Sequence, residues 1–149
     1  MKYSRQIIPA AGLVGTMTIA AYMVVQLDSQ TQQATADFTN AKIGEVRDAQ
    51  GAVLLRGQFA VVDEEDDDVE RKAPLQATGV DPDATGEAEI EHSKASPAEQ
   101  EVEFSVRNLQ PGSTLTFLID GTEIGTATVD RGGRAEVEVD IRLPGAAAR

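Results

Sequence analysis

Residues 134–143 read Arg-Ala-Glu-Val-Glu-Val-Asp-Ile-Arg-Leu, and this stretch decides the fold class of the chain. Its apolar residues, from Ala135 to Leu143, occupy every second position, and charged residues occupy the positions between them. Because successive side chains of a β-strand point to opposite faces, this pattern predicts a strand with one buried and one solvent-facing side. Such two-sided strands are typical of antiparallel sheets.

The same alternation recurs upstream, at residues 53–59, 102–107 and 115–119. Gly57 interrupts the first of these runs, where a bulge or a close packing contact is expected. Turn-forming sequences separate the runs, at residues 48–51, 110–113, 120–121 and 130–133. Short strands at this spacing predict an all-β fold, an antiparallel β-sandwich of about seven or eight strands.

Two parts of the sequence contain similar stretches in the same order along the chain. The stretch 46–51 resembles 106–112, and the stretch 77–91 resembles 127–138. This internal similarity predicts two duplicated units, residues 42–92 and 102–142, each a four-strand meander. The alternative is convergence on a common strand-and-turn composition. The first unit is longer, and its extra length falls between Val62 and Pro74, where the chain carries a run of acidic residues.

This acidic loop is a candidate metal site. Carboxylate oxygens are the ligands that Ca²⁺ prefers, and closely packed like charges are unfavourable without a counter-ion. A basic protein partner would serve equally well, and a solvated charge run is the third interpretation. The candidate ligands are Asp63, Glu64, Glu65, Asp66, Asp67, Asp68 and Glu70.

A weaker metal candidate is the pair Asp81 and Asp83. The sequence Asp81-Pro-Asp-Ala-Thr-Gly86 resembles the first half of an EF-hand-type calcium loop, D-x-D-x-[DNST]-G. The resemblance then ends, because His92 stands where the motif requires a bidentate Glu. Asp, Pro and Gly also favour a plain turn.

His92 is the only histidine, and Ser93 follows it. A hydrolase built on His92 is therefore a conceivable function, but no G-x-S-x-G nucleophile elbow is present and His92 lies in a polar connector. No Gly-rich phosphate loop follows a strand and opens a helix. The sequence accordingly predicts no catalytic residues and no cofactor-binding residues, and it favours a protein that is not an enzyme.

The composition excludes several classes of binding partner and several kinds of site. The chain of 149 residues has 13 Lys and Arg against 25 Asp and Glu, a formal charge of −12, with no Cys and no Trp. This charge argues against nucleic acid or an anionic membrane surface as a partner of the folded part, since both need a basic footprint. The absence of Cys excludes disulfides, thiolate metal sites and Cys nucleophiles.

The N-terminus indicates the compartment. Lys2 and Arg5 precede an apolar run over residues 7–25, which is a pattern typical of export signals and membrane anchors. The length of the run favours an uncleaved anchor, whereas Ala34-Thr35-Ala36 resembles a signal-peptide cleavage site. A buried core helix is the third interpretation, but the apolar residues are not confined to one helical face. Without Lys2, Arg5 and Asp28, the remaining chain has 11 basic and 24 acidic residues.

The sequence therefore predicts four segments. Residues 1–27 form a hydrophobic helix that acts as signal peptide or transmembrane anchor, 28–37 a polar linker, 38–143 the β-sandwich domain and 144–149 a short tail. The predicted protein is an exported, non-enzymatic module with a structural or binding role in the periplasm or at the cell surface. Its expected partners are the membrane, through residues 7–25 if they are retained, and a protein or cation at the acidic loop. The alternatives are a Ca²⁺-binding envelope module and the hydrolase that uses His92.

Overall fold

The structure is a computed structural model, and it describes residues 36–64 and 67–144. Within these residues it has nine β-strands and no helix, which confirms the predicted all-β antiparallel class. The strands are β1 (Ile43–Asp48), β2 (Val53–Gln58), β3 (Ala60–Glu64), β4 (Asp68–Ala77), β5 (Thr85–Ser93), β6 (Glu99–Arg107), β7 (Thr114–Ile119), β8 (Thr122–Thr128) and β9 (Ala135–Arg142).

All nine strands belong to one sheet, in the order β8-β7-β1-β2-β4-β5-β6-β9, with β3 paired to β4. The two strands at the ends of this order approach each other, since a β-carbon built on Gly125 of β8 would lie 3.2 Å from Cγ1 of Val137 on β9. The sheet is therefore a nearly closed, barrel-like layer. It has a half formed by β8, β7, β1 and β2 and a half formed by β4, β5, β6 and β9.

The core lies between these two halves. Phe104 of β6 and Phe117 of β7 are both fully buried, and their ring centroids are 5.4 Å apart in an edge-to-face arrangement. Because β6 and β7 are not neighbours in the sheet, this contact joins opposite halves across the interior. The inward residues on every second position of β5, β6 and β9 complete the core. Aromatic contacts of this kind stabilise a core by roughly 0.5–1.5 kcal/mol beyond the burial of their area.

The strand count differs from the prediction because one strand is bent into β2 and β3. Both segments pair with β4, β2 through Leu55 and Arg56 and β3 from Ala60 onward. Within β2, just before the break at Phe59, a β-carbon on Gly57 would clash with the carbonyl group of Pro74 in β4. Pro74 itself has no N–H to donate to a neighbouring strand. The close contact predicted at Gly57 is therefore present. The regular pairing of β2 with β4 ends next to it, at Arg56.

The predicted meander is present in the first unit and wrong for the second. Strands β1, β2, β4 and β5 are successive neighbours, whereas β6 and β7 lie in different halves of the sheet. The connection between β6 and β7 carries a buried Leu109, whose N–H donates to the carbonyl oxygen of Gly133. This buried residue holds the connection across the end of the barrel, so it does not form a hairpin.

The predicted N-terminal helix, most of the linker and residues 145–149 of the tail lie outside the described residues. So do Glu65 and Asp66 of the acidic loop. Over 36–64 and 67–144, no helix has the length and hydropathy needed to cross a bilayer.

The close contact between Gly57 and Pro74 leads to a first prediction. Gly57→Ala should lower the free energy of unfolding by about 1–3 kcal/mol, because the added methyl group meets the Pro74 backbone, which cannot rotate away. Gly44→Ala is the matched control, since a β-carbon there meets its three nearest neighbours at 3.4 Å. Urea unfolding of the full-length chain measures both. Equal losses for the two variants would contradict the close contact with Pro74 as the cause of the destabilisation.

Candidate functional site

The outward side of β3, β4, β5, β6 and β9 carries three rows of paired residues. In the first row, five carboxylate residues stand directly opposite one another from strand to strand: Asp63, Glu70, Glu91, Glu101 and Asp140. The second row is Ala60, Lys72, Glu89, Glu103 and Glu138. The third row is Pro74, Glu87, Ser105 and Glu136. We call the ten carboxylates of these rows, together with Lys72, the acidic face.

The acidic face follows from the alternation of the sequence. Residues 86–91 of β5 read Gly-Glu-Ala-Glu-Ile-Glu, and β6 and β9 repeat this pattern. Ala88, Ile90 and Val102 are fully buried, so the glutamates between the apolar positions must point outward. The pairing that aligns the apolar residues in the core also aligns the carboxylates outside.

This alignment is electrostatically unfavourable. Like charges directly opposite each other on neighbouring strands are destabilising, by roughly 0.2–1 kcal/mol for such pairs. The pKa of Glu91 is raised, chiefly because its protonated carboxyl can donate a hydrogen bond to Glu89, and also through burial and nearby negative charge. Burial raises the pKa of Glu103, and the charges of Glu136 and Glu89 add to this effect. The acidic face therefore favours the binding of positive charge.

Lys72 neutralises one part of the face. Its Nζ lies 2.5 Å from a carboxylate oxygen of Glu70 and 3.2 Å from one of Glu89. These contacts raise the pKa of Lys72 and lower the pKa of Glu70. Among the three rows Lys72 is the only basic residue, and its ion pairs are with Glu70 of β4 and Glu89 of β5, not with the carboxylates on β6 and β9.

The other half of the sheet is different. Glu45 of β1 is only 8% exposed, and two arginines pair with it. A guanidinium nitrogen of Arg47 lies 2.7 Å from its carboxylate, and Nε of Arg56 lies 3.4 Å away. Glu45 is therefore compensated by two arginines. In the acidic face, by contrast, Lys72 pairs with only two of the ten carboxylates.

One cluster in the acidic face has the spacing of a cation site. Carboxylate oxygens of Glu70, Glu89 and Glu91 lie within 4.8 Å of one another. Three oxygen ligands at this distance could surround a Ca²⁺ ion, with further ligands supplied by water. Lys72 already contacts two of the three residues, so a metal ion would compete with its ammonium group.

A cleft of about 710 Å³ opens where the first row reaches the barrel end. Its lining includes carboxylates from β3 to β9, with Asp63, Glu91 and Asp140 among them, and the imidazole of His92. The cleft therefore joins the first row into a concave acidic surface.

A short segment beyond the cleft closes the barrel end. Gln100 is 3% exposed; its side chain accepts a hydrogen bond from the N–H of Phe38 and donates one to the carboxylate of Asp37, both at 2.9 Å. Arg71 donates to the carbonyl oxygens of Thr39 and Ala41. Hydrogen bonds from Thr39 and Gln100 hold the pKa of Asp37 below its usual value. Residues 37–41 are therefore fixed to β4 and β6.

The structure brings together only part of the predicted metal site. Glu70 joins the cluster with Glu89 and Glu91, and Asp63 joins the first row. Asp67 and Asp68 follow at the start of β4, and Asp68 pairs with Ser93. The side chain of Glu64 is not among those described, and metal binding by the loop stays a prediction.

Asp81 and Asp83 lie in the turn between β4 and β5, at the opposite end of β4 from the acidic loop. The N–H of Ala84 donates to the carbonyl oxygen of Asp81, and the side chain of Asn108 donates to that of Asp83. These bonds describe a turn, and the two groups of predicted ligands cannot form one site.

His92 and Ser93 are consecutive residues of β5, so their side chains leave the strand on opposite faces. The Ser93 hydroxyl donates to the carbonyl oxygen of Asp67 at 3.1 Å. Nδ1 of His92 is buried without a hydrogen-bond partner among the described residues. The structure thus does not place these two side chains together as a nucleophile and its base.

The residues that sequence reasoning missed are the glutamates and aspartate of β5, β6 and β9. The alternation predicts solvent-facing sides for the charged residues of β6 and β9, on separate strands. Residues 86–91 of β5 entered the sequence prediction only through their resemblance to 133–138. Their assembly depends on β4, β5, β6 and β9 being successive neighbours, which local patterns do not encode. The repeated Glu-x-Glu spacing in three segments was the signal that pointed to them.

No protein-family model matches the chain, and no curated protein or solved structure shows detectable similarity to it. The geometry of the described residues therefore carries the functional argument.

The repulsion in the acidic face predicts a pH dependence. A carboxyl whose pKa is raised in the folded state holds its proton more tightly there than in the unfolded chain. The free energy of unfolding should therefore fall as pH rises from about 4.5, the ordinary pKa of Glu, through the raised pKa values of Glu91 and Glu103. The lowered pKa values of Asp37 and Glu70 act in the opposite direction, at lower pH.

Glu103→Gln should raise the free energy of unfolding by roughly 0.2–1 kcal/mol at about pH 7, since it removes a charge from a crowded row. The gain should shrink at about pH 5, where part of the wild-type carboxyl is already neutral. Glu123→Gln, on β8 in the other half of the sheet, is the control and should show a smaller gain. Thermal unfolding at both pH values is the measurement, and an equal gain at both would contradict the electrostatic cause.

Proposed function

We propose that the chain is an exported, non-enzymatic binding module of the cell envelope or surface, and that its acidic face docks a cationic partner. The observation that carries this proposal is the set of carboxylate rows on β4, β5, β6 and β9, with Lys72 as their one basic residue. We further infer that the two halves of the sheet act as the layers of a sandwich, which presents this face on one side.

The segregation of charge supports a binding role. A protein that needs negative charge only for solubility can distribute it over both halves of its surface. Here Glu45 on one half is paired with two arginines, while the opposite half aligns carboxylates across four strands. A cationic partner would convert this repulsion into attraction, and it would steer association over distances of about one Debye length.

The N-terminal sequence supports the compartment. Lys2 and Arg5 before the apolar residues 7–25 indicate export, with the folded part outside the cytoplasm. If residues 7–25 are retained, they anchor the module in the membrane. Cleavage after Ala36 would release it.

A lysine homopeptide labelled with a fluorophore tests the docking proposal. The double variant Glu91→Gln/Glu101→Gln of the full-length chain should bind it about five- to thirtyfold more weakly, since two exposed charge pairs contribute about 1–2 kcal/mol in total. Binding by the wild-type chain should also weaken as salt increases. Fluorescence anisotropy in a non-ionic detergent measures the affinity.

Glu123→Gln provides the control, because it removes a carboxylate from β8, outside the acidic face. It should leave the affinity within about twofold of the wild-type value. Equal affinities for the double variant and this control would refute docking on the acidic face.

A second candidate function is Ca²⁺ binding, favoured by the spacing of Glu70, Glu89 and Glu91. The ammonium group of Lys72 stands where it would compete with the ion. Lys72→Met should therefore raise the affinity for Ca²⁺, and millimolar Ca²⁺ should raise the melting temperature of this variant more than that of the wild type.

Calorimetric titration and thermal unfolding measure these two effects. Mg²⁺ is the control ion, since it demands a stricter octahedral geometry than three flexible carboxylates offer. A melting temperature of Lys72→Met that does not respond to Ca²⁺ would exclude this second function.

A further inference from the structure

Strand β3 has an unpaired edge among the described residues. It pairs with β4 on one side, and no described strand pairs with it on the other. The last hydrogen bond toward β1 runs from the N–H of Phe59 to the carbonyl oxygen of Lys42, just before β3 begins. Past this point the main-chain donors and acceptors on that side of β3 can accept another strand.

The side chains of this edge are unusually apolar for an exposed position. Val61 and Val62 are 46% and 54% exposed, and with Val80 they are the large hydrophobic residues most open to solvent in the described chain. Exposed strand edges are ordinarily protected by charged residues, Pro or a bulge. Residues 60–64 contain no Lys or Pro, although the register with β4 is irregular between Val61 and Asp63. The adjacent valines therefore offer contact area to an added strand.

The acidic face ends at this same edge. Asp63 begins the five-carboxylate row, and Ala60 begins the row that contains Lys72 and three glutamates. A strand added beside β3 would extend both rows by one position. Side chains of the new strand that face outward would then stand next to Asp63, where a basic residue is favoured and an acidic one is repelled.

We propose that β3 receives an extended, basic segment of a partner protein by strand addition, with basic side chains on the acidic face and apolar side chains toward Val61. This inference rests on the proposed function and names its partner class. Main-chain hydrogen bonds supply affinity in such complexes, and alternate side chains supply specificity. A second copy of this chain is disfavoured as the occupant, because it would bring a further charge of −12 to an already acidic edge.

The test uses a short peptide of alternating Lys and Val as the probe, with the full-length chain in non-ionic detergent. The same peptide N-methylated at every residue keeps the charges and side chains but cannot donate main-chain hydrogen bonds. We expect the methylated peptide to bind at least about tenfold more weakly, since several main-chain bonds are lost. We also expect the unmodified peptide to slow amide exchange in residues 60–64.

Variants of the edge give a second measurement. Val61→Thr/Val62→Thr keeps the branched shape but removes apolar contact, so it should weaken binding of the unmodified peptide at least about threefold. Val80→Thr is the matched control, because Val80 is 60% exposed and lies in the turn after β4. It should leave the affinity unchanged, and circular dichroism should show the same fold in all three proteins.

The outcomes separate the two proposals. If both peptides bind equally and Glu91→Gln/Glu101→Gln still weakens them, strand addition is wrong and the docking function stands. If neither peptide binds, both proposals fail. If amide exchange in residues 60–64 is already slow without peptide, another occupant covers the edge and strand addition by a partner is wrong. Sedimentation equilibrium then identifies a second copy of the chain by its mass. A monomeric mass would instead point to the chain's own residues before 36.

Discussion

The register of β4, β5, β6 and β9 is set by their buried residues, and the rest of the molecule accommodates it. Ala88, Phe104, Val139 and their neighbours must face the core together, and burial of one large apolar side chain contributes about 1.5–3 kcal/mol. Repulsion between opposed carboxylates amounts to only roughly 0.2–1 kcal/mol per pair. Core packing therefore outweighs the repulsion. The acidic face is held in place by the burial of apolar side chains on the opposite side of the same strands.

Core packing also makes the acidic face a stable feature rather than a fluctuating one. A shift of one residue in any of these strands would place glutamates in the core and apolar residues in water. Lys72 relieves the repulsion at β4 and β5, and the remaining carboxylates stay aligned on β6 and β9. A cation or basic segment that bound here, as proposed, would meet a surface that is already organised, so little ordering of the protein itself would be needed.

Sequence patterns predicted the strand class and the positions of four of the nine described strands, because alternation and turn residues are local signals. The predicted strand over 134–143 contains β9, and the close contact predicted at Gly57 lies within β2, just before the break at Phe59. The order of strands could not be predicted in the same way. The pairing of β6 with β9 and of β7 with β1 joins residues far apart in sequence, and the internal similarity between the two units pointed to a second meander that does not form.

The candidate site shows the same division. Glu70 belongs to the predicted acidic loop, but its neighbours Glu89 and Glu91 come from the next strand, and no local pattern marks them as site residues. A continuous run of acidic residues can be recognised in the sequence. Carboxylates at every second position of several strands form a group only when the strands lie side by side.

The attachment of residues 37–41 at the barrel end determines how mechanical load would enter the domain. A pull transmitted from the N-terminal side reaches Gln100 and Arg71 through Phe38, Asp37, Thr39 and Ala41 before it reaches β1. Those bonds connect to β6 and β4, neither of which ends the sheet, so tension would be shared among paired strands instead of peeling one strand away. A module held by its leading segment would in this way keep its charged side intact under shear.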